Sequence, residues 1–108
     1  MSVMDNIYFG YNLTPLNERK ITPEYVIKFL DLKMLLDKHI SSLSGGEKQK
    51  VALARVLSIS PNLLLLDEAL ASIDQKSSGK ILANLKKIWS EFKIPIIYVS
   101  HSISEVLA

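Results

Sequence analysis

Two short apolar runs, at residues 63–66 and 95–99, flank one long amphipathic segment, and nothing else in the chain restricts its fold as much. Leu63-Leu64-Leu65-Leu66, bounded by Pro61-Asn62 and Asp67-Glu68, is too short and too uniformly apolar for a surface helix and reads as a buried strand. Pro95-Ile96-Ile97-Tyr98-Val99 reads as a second. From Gln75 to Phe92, residues Ile81, Leu82, Leu85, Ile88, Trp89 and Phe92 recur at helical spacing, with Lys80, Lys86, Lys87 and Glu91 elsewhere on the wheel. Two strands joined by one crossover helix are expected to be parallel, right-handed and adjacent. Asp67-Glu68 and Ser100-His101 then leave one sheet edge within about 10 Å of each other, given strands ~4.8 Å apart. Ligands of open α/β sheets bind at that edge. Ser102 and Glu105 begin a further helix.

The first sixty residues read as helical. Ser2 and Asp5 form a capping pair, Val3, Met4, Ile7 and Tyr8 share a face, and Gly10 is a natural stop. Thr22-Pro23-Glu24 supplies an N-cap, a first-turn proline and an acid for a second helix, whose apolar residues Val26, Ile27, Phe29 and Leu30 run on to Leu32. Met34, Leu35 and Leu36 suggest another turn. Ser44 and Glu47 have the spacing at which each side chain caps the other's backbone, so a helix is expected from Gly45 to about Ser58, with Pro61 barring its extension. No repeat, low-complexity tract or linker interrupts the chain.

Composition removes several function classes. At 108 residues and 48% hydrophobic content the chain is one small domain or part of a larger one, and it is not a disordered segment. Thirteen Lys and Arg against eleven Asp and Glu, a net charge of +2, give no electrostatic case for nucleic acid. With no cysteine, disulfides and thiolate metal sites are excluded. No apolar stretch approaches the roughly 20 residues of a membrane span, and residues 1–5 lack a signal-peptide pattern, so the expected location is cytoplasmic.

The candidate chemistry lies at the sheet edge and at one helix end. A carboxylate pair after a strand can divide two tasks, Asp67 holding a metal and Glu68 taking a proton from an attacking water. The plain alternative is a solvated strand end. Ser44, Gly45, Gly46 and Glu47 open a helix at which close backbone approach, free amide N–H groups and partial positive charge suit a phosphate; an ordinary capping box is the alternative. His101 can donate to a phosphate oxygen at the same edge, or be a surface histidine. His39 reads as a solvated residue near a helix end. Trp89, Phe92 and Tyr98 read as packing residues, and Lys48, Lys50, Lys86 and Lys87 as solvated faces.

The order and spacing of these pieces resemble a known family. The stretch from Leu43 through Ser44-Gly45-Gly46-Glu47 to Arg55 resembles the signature motif and following helix of ATP-binding cassette ATPases. Residues 63–68 resemble their Walker B strand, Ala71-Ser72-Ile73-Asp74 their D-loop, Tyr98-Val99-Ser100-His101 their switch histidine, and residues 2–7 the segment after their Q-loop. The resemblance runs along almost the whole chain and corresponds to about the C-terminal half of such a domain. It implies an α/β fold: a helical subdomain over residues 1–60 and, over 61–108, part of a P-loop NTPase (RecA-like) core with parallel strands, without the phosphate-loop half. It implies ATP and Mg2+ as ligands, Asp67 positioning the metal, Glu68 as general base and His101 sensing the γ-phosphate. Ser44, Gly45, Gly46 and Glu47 would bind the γ-phosphate of ATP held by an opposite subunit, and Asp74 would couple the two sites. The implied partners are a second ATPase subunit and a transmembrane permease, with no nucleic acid, which places the chain peripherally at the inner face of the membrane. Val3, Asn6, Ile7 and Tyr8 would line the groove for a permease helix, or simply pack.

Departures from the family pattern are equally legible. No G-x-x-x-x-G-K-[ST] occurs, since Gly79-Lys80 is followed by Ile81, and Ala69 stands where the family usually has proline. The expected function is the ATP-binding subunit of an ABC importer, most like those for molybdate and related oxyanions, coupling ATP binding and hydrolysis to transport when complete. Residues 1–108 alone are expected to be inactive. The alternatives are a non-catalytic interaction module or a non-functional remnant that lends only its signature helix to a partner, with an uncovered core and an open sheet edge.

Overall fold

A computed structural model describes residues 1–68 and 70–99. The expectations placed on Ala69, Ser100, His101, Ser102 and Glu105 lie outside the described residues. Helix α1 (Val3–Leu13) starts as its sequence dictates, with Asp5 N–H donating to Ser2 Oγ at 3.1 Å and Ser2 N–H donating to the Asp5 carboxylate at 3.3 Å. It runs through Gly10 to Leu13, where the Thr14 N–H and hydroxyl both donate to the Gly10 carbonyl. Gly10 is a point of close approach instead of a stop. A Cβ there would stand 2.6 Å from Ile59 Cγ2, just past the end of α3 (Gly45–Ser58), which α1 packs against.

Helix α2 (Pro23–Phe29) is capped by Thr22, whose Oγ1 accepts from Tyr25 N–H at 3.1 Å. It ends earlier than the apolar pattern suggests because Asp31 takes a left-handed φ of 55°. Leu32 is still buried, and a single 3-10 turn at Lys33–Leu35 replaces the further helical turn. The start of α1 is stitched to the chain that follows, Val3 N–H donating to Lys38 O at 2.9 Å and Met4 N–H to Leu36 O at 3.1 Å. Val3 and Ile7 are fully buried, and buried Asn6 donates from Nδ2 to Ser2 O at 3.0 Å. These three therefore pack inside and do not line an open groove. Half-buried Tyr8 alone of the four reaches outward, its hydroxyl donating to Glu24 at 3.1 Å.

Strand β1 (Leu64–Asp67), helix α4 (Gln75–Phe92) and strand β2 (Ile96–Val99) form the expected unit. The strands are parallel neighbours, Leu64 opposite Ile96 and Asp67 opposite Val99. They are not buried on both faces. Leu64 and Leu66 enter the core, whereas Leu65 is 64% exposed and Ile97 50%, because the core meets only one side of this pair among the described residues. On α4 the inward line is Ser78, Ile81, Leu85 and Ile88. Trp89, one position past Ile88 and so turned about 100° from it, is 57% exposed and is not a core residue. Phe92 packs edge-to-face on Tyr25 of α2, ring centroids 5.4 Å apart, and Tyr98 packs against the core.

One continuous apolar cluster joins these parts, from Val3 and Ile7 through Val26, Leu30, Leu53 and Leu57 to Leu64, Leu70, Ile88 and Ile94. Ser60, at φ 51°, fastens the 19–21 segment to it by accepting from Lys20 N–H at 2.8 Å and Ile21 N–H at 3.0 Å. Ser58, two residues earlier, has a fully enclosed hydroxyl with no partner among the described residues. Ser58→Ala is accordingly expected to be neutral or to stabilise the fold by up to about 1 kcal/mol, read from urea denaturation midpoints. Among the described residues no helix is long and apolar enough to cross a membrane.

Candidate functional site

The first turn of α3 is built by reciprocal capping. Ser44 N–H donates to Glu47 Oε1 at 2.9 Å, and Glu47 N–H donates to Ser44 Oγ at 3.1 Å. The caps occupy Glu47 N–H, while helix geometry leaves the N–H groups of Gly45 and Gly46 facing out of the turn. Gly46 lies directly against the loop that follows β1: a Cβ there would meet the Ser72 carbonyl oxygen at 2.6 Å. Only glycine allows this approach. Ser44, Gly45, Gly46 and Glu47 line, with Lys50, Ser72, Ile73 and Asp74, an open cleft of about 560 Å³. Lys50, a solvated lysine by its sequence pattern, is half-buried at this cleft.

Asp74 closes the other side and caps α4, its Oδ2 accepting from Ser77 N–H at 3.0 Å. Both cap carboxylates are held below the usual range, Glu47 chiefly by the Ser44 N–H and Asp74 chiefly by the Ser77 N–H. A carboxylate pKa depressed by folding contributes stability that is complete above the unfolded value and lost as pH falls through the folded one. The starts of α3 and α4 should therefore hold unchanged down to about pH 4 and loosen below it. Lower amide protection factors at Glu47 and Ser77 on acidification, after correction for the intrinsic slowing of exchange, would report this.

The carboxylate pair sits at the strand end. Asp67 is the exposed last residue of β1, and half-buried Glu68 follows with a left-handed φ of 54°. That conformation costs a non-glycine residue about 1–3 kcal/mol and persists where the surroundings hold it. Here the Glu68 N–H donates to Val99 O at 2.9 Å, and its carbonyl accepts from Ala71 N–H at 3.2 Å and from Gln49 Nε2 at 3.3 Å. The Gln49 Oε1 accepts from Ser72 N–H at 2.7 Å. One side chain of α3 thus joins the strand-end turn to the loop beneath the cleft. Gln49 escapes a motif reading because a glutamine inside a helix looks like solvated surface. Its spacing of three and four residues from Gly46 and Gly45, which puts it on their face, is the signal that finds it.

The structure therefore brings Ser44, Gly45, Gly46, Glu47 and Asp74 to one cleft, with the Glu68 turn tied to it. His101 lies outside the described residues, and exposed His39 takes no part, its Nδ1 accepting from Ser41 N–H at 3.2 Å. Chemically, two outward amides, a serine and a lysine suit an anionic oxygen group. Among the described residues no three acidic, His or Cys side chains gather as a metal cage. The Asp67 and Glu68 pair nevertheless fits magnesium, which commonly takes one or two carboxylates and completes its shell with phosphate and water.

Comparison with known proteins decides the family. Residues 1–71 match the sequence profile described as ABC transporter. The chain belongs to that family. It is 47% identical over 107 residues to the Molybdenum import ATP-binding protein ModC of Hahella chejuensis, covering 99% of this chain and 30% of that relative. The corresponding protein of Mesorhizobium japonicum is 47% identical over 106 residues, 98% of this chain and 29% of the relative. The chain thus spans about three tenths of these relatives' length. Among solved structures, a dimeric bacterial ABC transporter cassette superposes with a TM-score of 0.83 at 26% identity, covering 97% of this chain and 48% of that one. The chain therefore has the fold of part of the α/β ATP-binding cassette, parallel strands included.

Proposed function

We propose that the chain is part of the ATP-binding subunit of an ABC importer, and that its solute is an oxyanion, molybdate first. The observation that carries this reading is the cleft at the start of α3, where Ser44, Gly45 and Gly46 offer phosphate-binding groups beside the loop bearing Asp74. Similarity to molybdenum import proteins along 99% of the chain supports the solute. In this reading residues 1–60 act as a helical subdomain and residues from 61 onward as part of the ATPase core. Ser44, Gly45, Gly46 and Glu47 bind the γ-phosphate of ATP held by a second ATPase subunit, and Asp74 couples the two sites. Glu68 takes the proton of the attacking water, and His101 contacts the γ-phosphate of the nucleotide on its own side. Asp67, with Glu68 beside it, would hold magnesium, which supplies charge neutralisation to the phosphates. The remaining partner is a transmembrane permease, which places the subunit at the inner face of the membrane and leaves no role for nucleic acid.

A second reading has one specific observation in its favour: the cleft at the start of α3 is lined by residues 44–47, 50 and 72–74 and by neither Asp67 nor Glu68. On that reading the chain lends its α3 start to a partner's nucleotide without turnover of its own. Mixing residues 1–108 with a segment that carries a phosphate loop separates the two. Magnesium-dependent ATP hydrolysis by the mixture, absent from residues 1–108 alone, supports the ATPase. Hydrolysis by neither favours the interaction module. Molybdate uptake by cells carrying the assembled subunit and its permease tests the solute.

A further inference from the structure

We infer that Gln49 is a positioning residue that locks the start of α3 to the turn carrying Glu68, and so links the two nucleotide sites through one amide. The inference rests on the functional reading above, in which the α3 start serves the opposite subunit's nucleotide and Glu68 serves the one on its own side. Between these groups the structure places the Gln49 side chain. Gln49 Oε1 accepts from Ser72 N–H at 2.7 Å, and its Nε2 donates to the Glu68 carbonyl at 3.3 Å. The two partners fix the amide's orientation, because Ser72 offers only a donor and Glu68 only an acceptor. No other residue type of that length supplies one of each.

What the amide holds is strained. Glu68 is a non-glycine residue at φ 54°, and the position of its side chain follows from that backbone. Gln49 helps to keep it there, beside Val99 O and Ala71 N–H. Of the three, Gln49 alone belongs to α3. The Gly46 backbone against the Ser72 carbonyl makes a second, rigid contact between the same two segments. A displacement of the α3 start when it engages phosphate is therefore carried to Ser72 and to the Glu68 turn together, since interdigitated backbone and a two-ended hydrogen bond leave little slack. The role is to hold the base in place, not to touch the nucleotide.

The test uses the ATPase containing this chain together with its phosphate loop. Gln49→Ala removes both bonds; Gln49→Glu keeps the acceptor for Ser72 and sets a carboxylate oxygen against the Glu68 carbonyl. Both are expected to reduce kcat roughly 10- to 100-fold, the size of effect that follows an ångström-scale misplacement of a reacting group, with KM for ATP changed by less than about twofold. Amide exchange at Ser72 supplies a readout independent of turnover. It should accelerate about tenfold or more in Gln49→Ala and stay slow in Gln49→Glu. Wild-type kcat in Gln49→Ala overturns the inference, as does a matched loss of kcat and ATP affinity in both variants, which a merely structural role would produce. An inactive wild-type assembly counts against the functional reading instead, and Ser72 exchange then decides the tie by itself, unchanged exchange in Gln49→Ala overturning it.

Discussion

Glu68→Gln is expected to reduce ATP turnover of the ATPase containing this chain by about 10²- to 10⁴-fold, the usual contribution of a positioned general base. The substitution keeps shape and removes the ability to accept a proton. It should leave the turn in place, because Glu68 is held through its backbone: its N–H on Val99 and its carbonyl on Ala71 and Gln49. Nucleotide binding should persist, since Glu68 does not line the cleft that residues 44–46 form at the start of α3. Steady-state magnesium-dependent hydrolysis, alongside titration with a fluorescent ATP analogue, separates the two effects. Turnover within tenfold of wild type would place the base elsewhere. Equal loss of binding and turnover would make Glu68 a ligand-holding residue first.

The second large effect concerns adjacent glycines that a motif treats as equivalent. Gly46→Ala is expected to destabilise the fold by about 1–3 kcal/mol, the usual cost of forcing an extra methyl into a packed site. The obstacle is the Ser72 carbonyl oxygen at 2.6 Å, a backbone atom that cannot rotate away. Gly45→Ala meets nothing nearer than Ser72 Cβ at 3.8 Å, ordinary contact, and should be neutral or gain up to about 1 kcal/mol from better helix propensity. Denaturant unfolding of the two single variants is a direct comparison. Equal midpoints would mean that the 70–74 loop yields freely, and the close approach at Gly46 would then not define the cleft.

Local chemistry made most elements legible in advance. The capping pairs Ser2 with Asp5 and Ser44 with Glu47, and the Thr22 cap, appear as hydrogen bonds of 2.9–3.3 Å at the helix starts they mark. The 18-residue α4 has the bounds its apolar spacing implies, and the strands it joins are parallel neighbours. Where reading from sequence failed, a long-range contact overrode a local preference. Gly10 looks like a terminator, but its missing side chain admits Ile59 from forty-nine positions along (59 − 10). Trp89 fits an apolar wheel, yet it is turned away from the buried line of Ile81, Leu85 and Ile88, and among the described residues the strands that looked buried throughout are covered on one face. For Val3, Asn6 and Ile7 the sequence left a partner groove and simple packing both open, and the chain that follows encloses them.

The sequence by itself determined the elements, their order and the family, because caps, periodicity and the run Ser44-Gly45-Gly46-Glu47 depend only on residues a few positions apart. Only the tertiary structure decided how the site is joined. Gln49, nineteen residues before Glu68 and twenty-three before Ser72, meets both because the start of α3 lies against the loop that follows β1. Neither a left-handed Glu68 nor a glycine pressed on the Ser72 carbonyl follows from local preference, since non-glycine residues avoid that φ and a lone glycine more often marks a turn. Both arise where two segments distant in the chain are packed too closely for any other geometry.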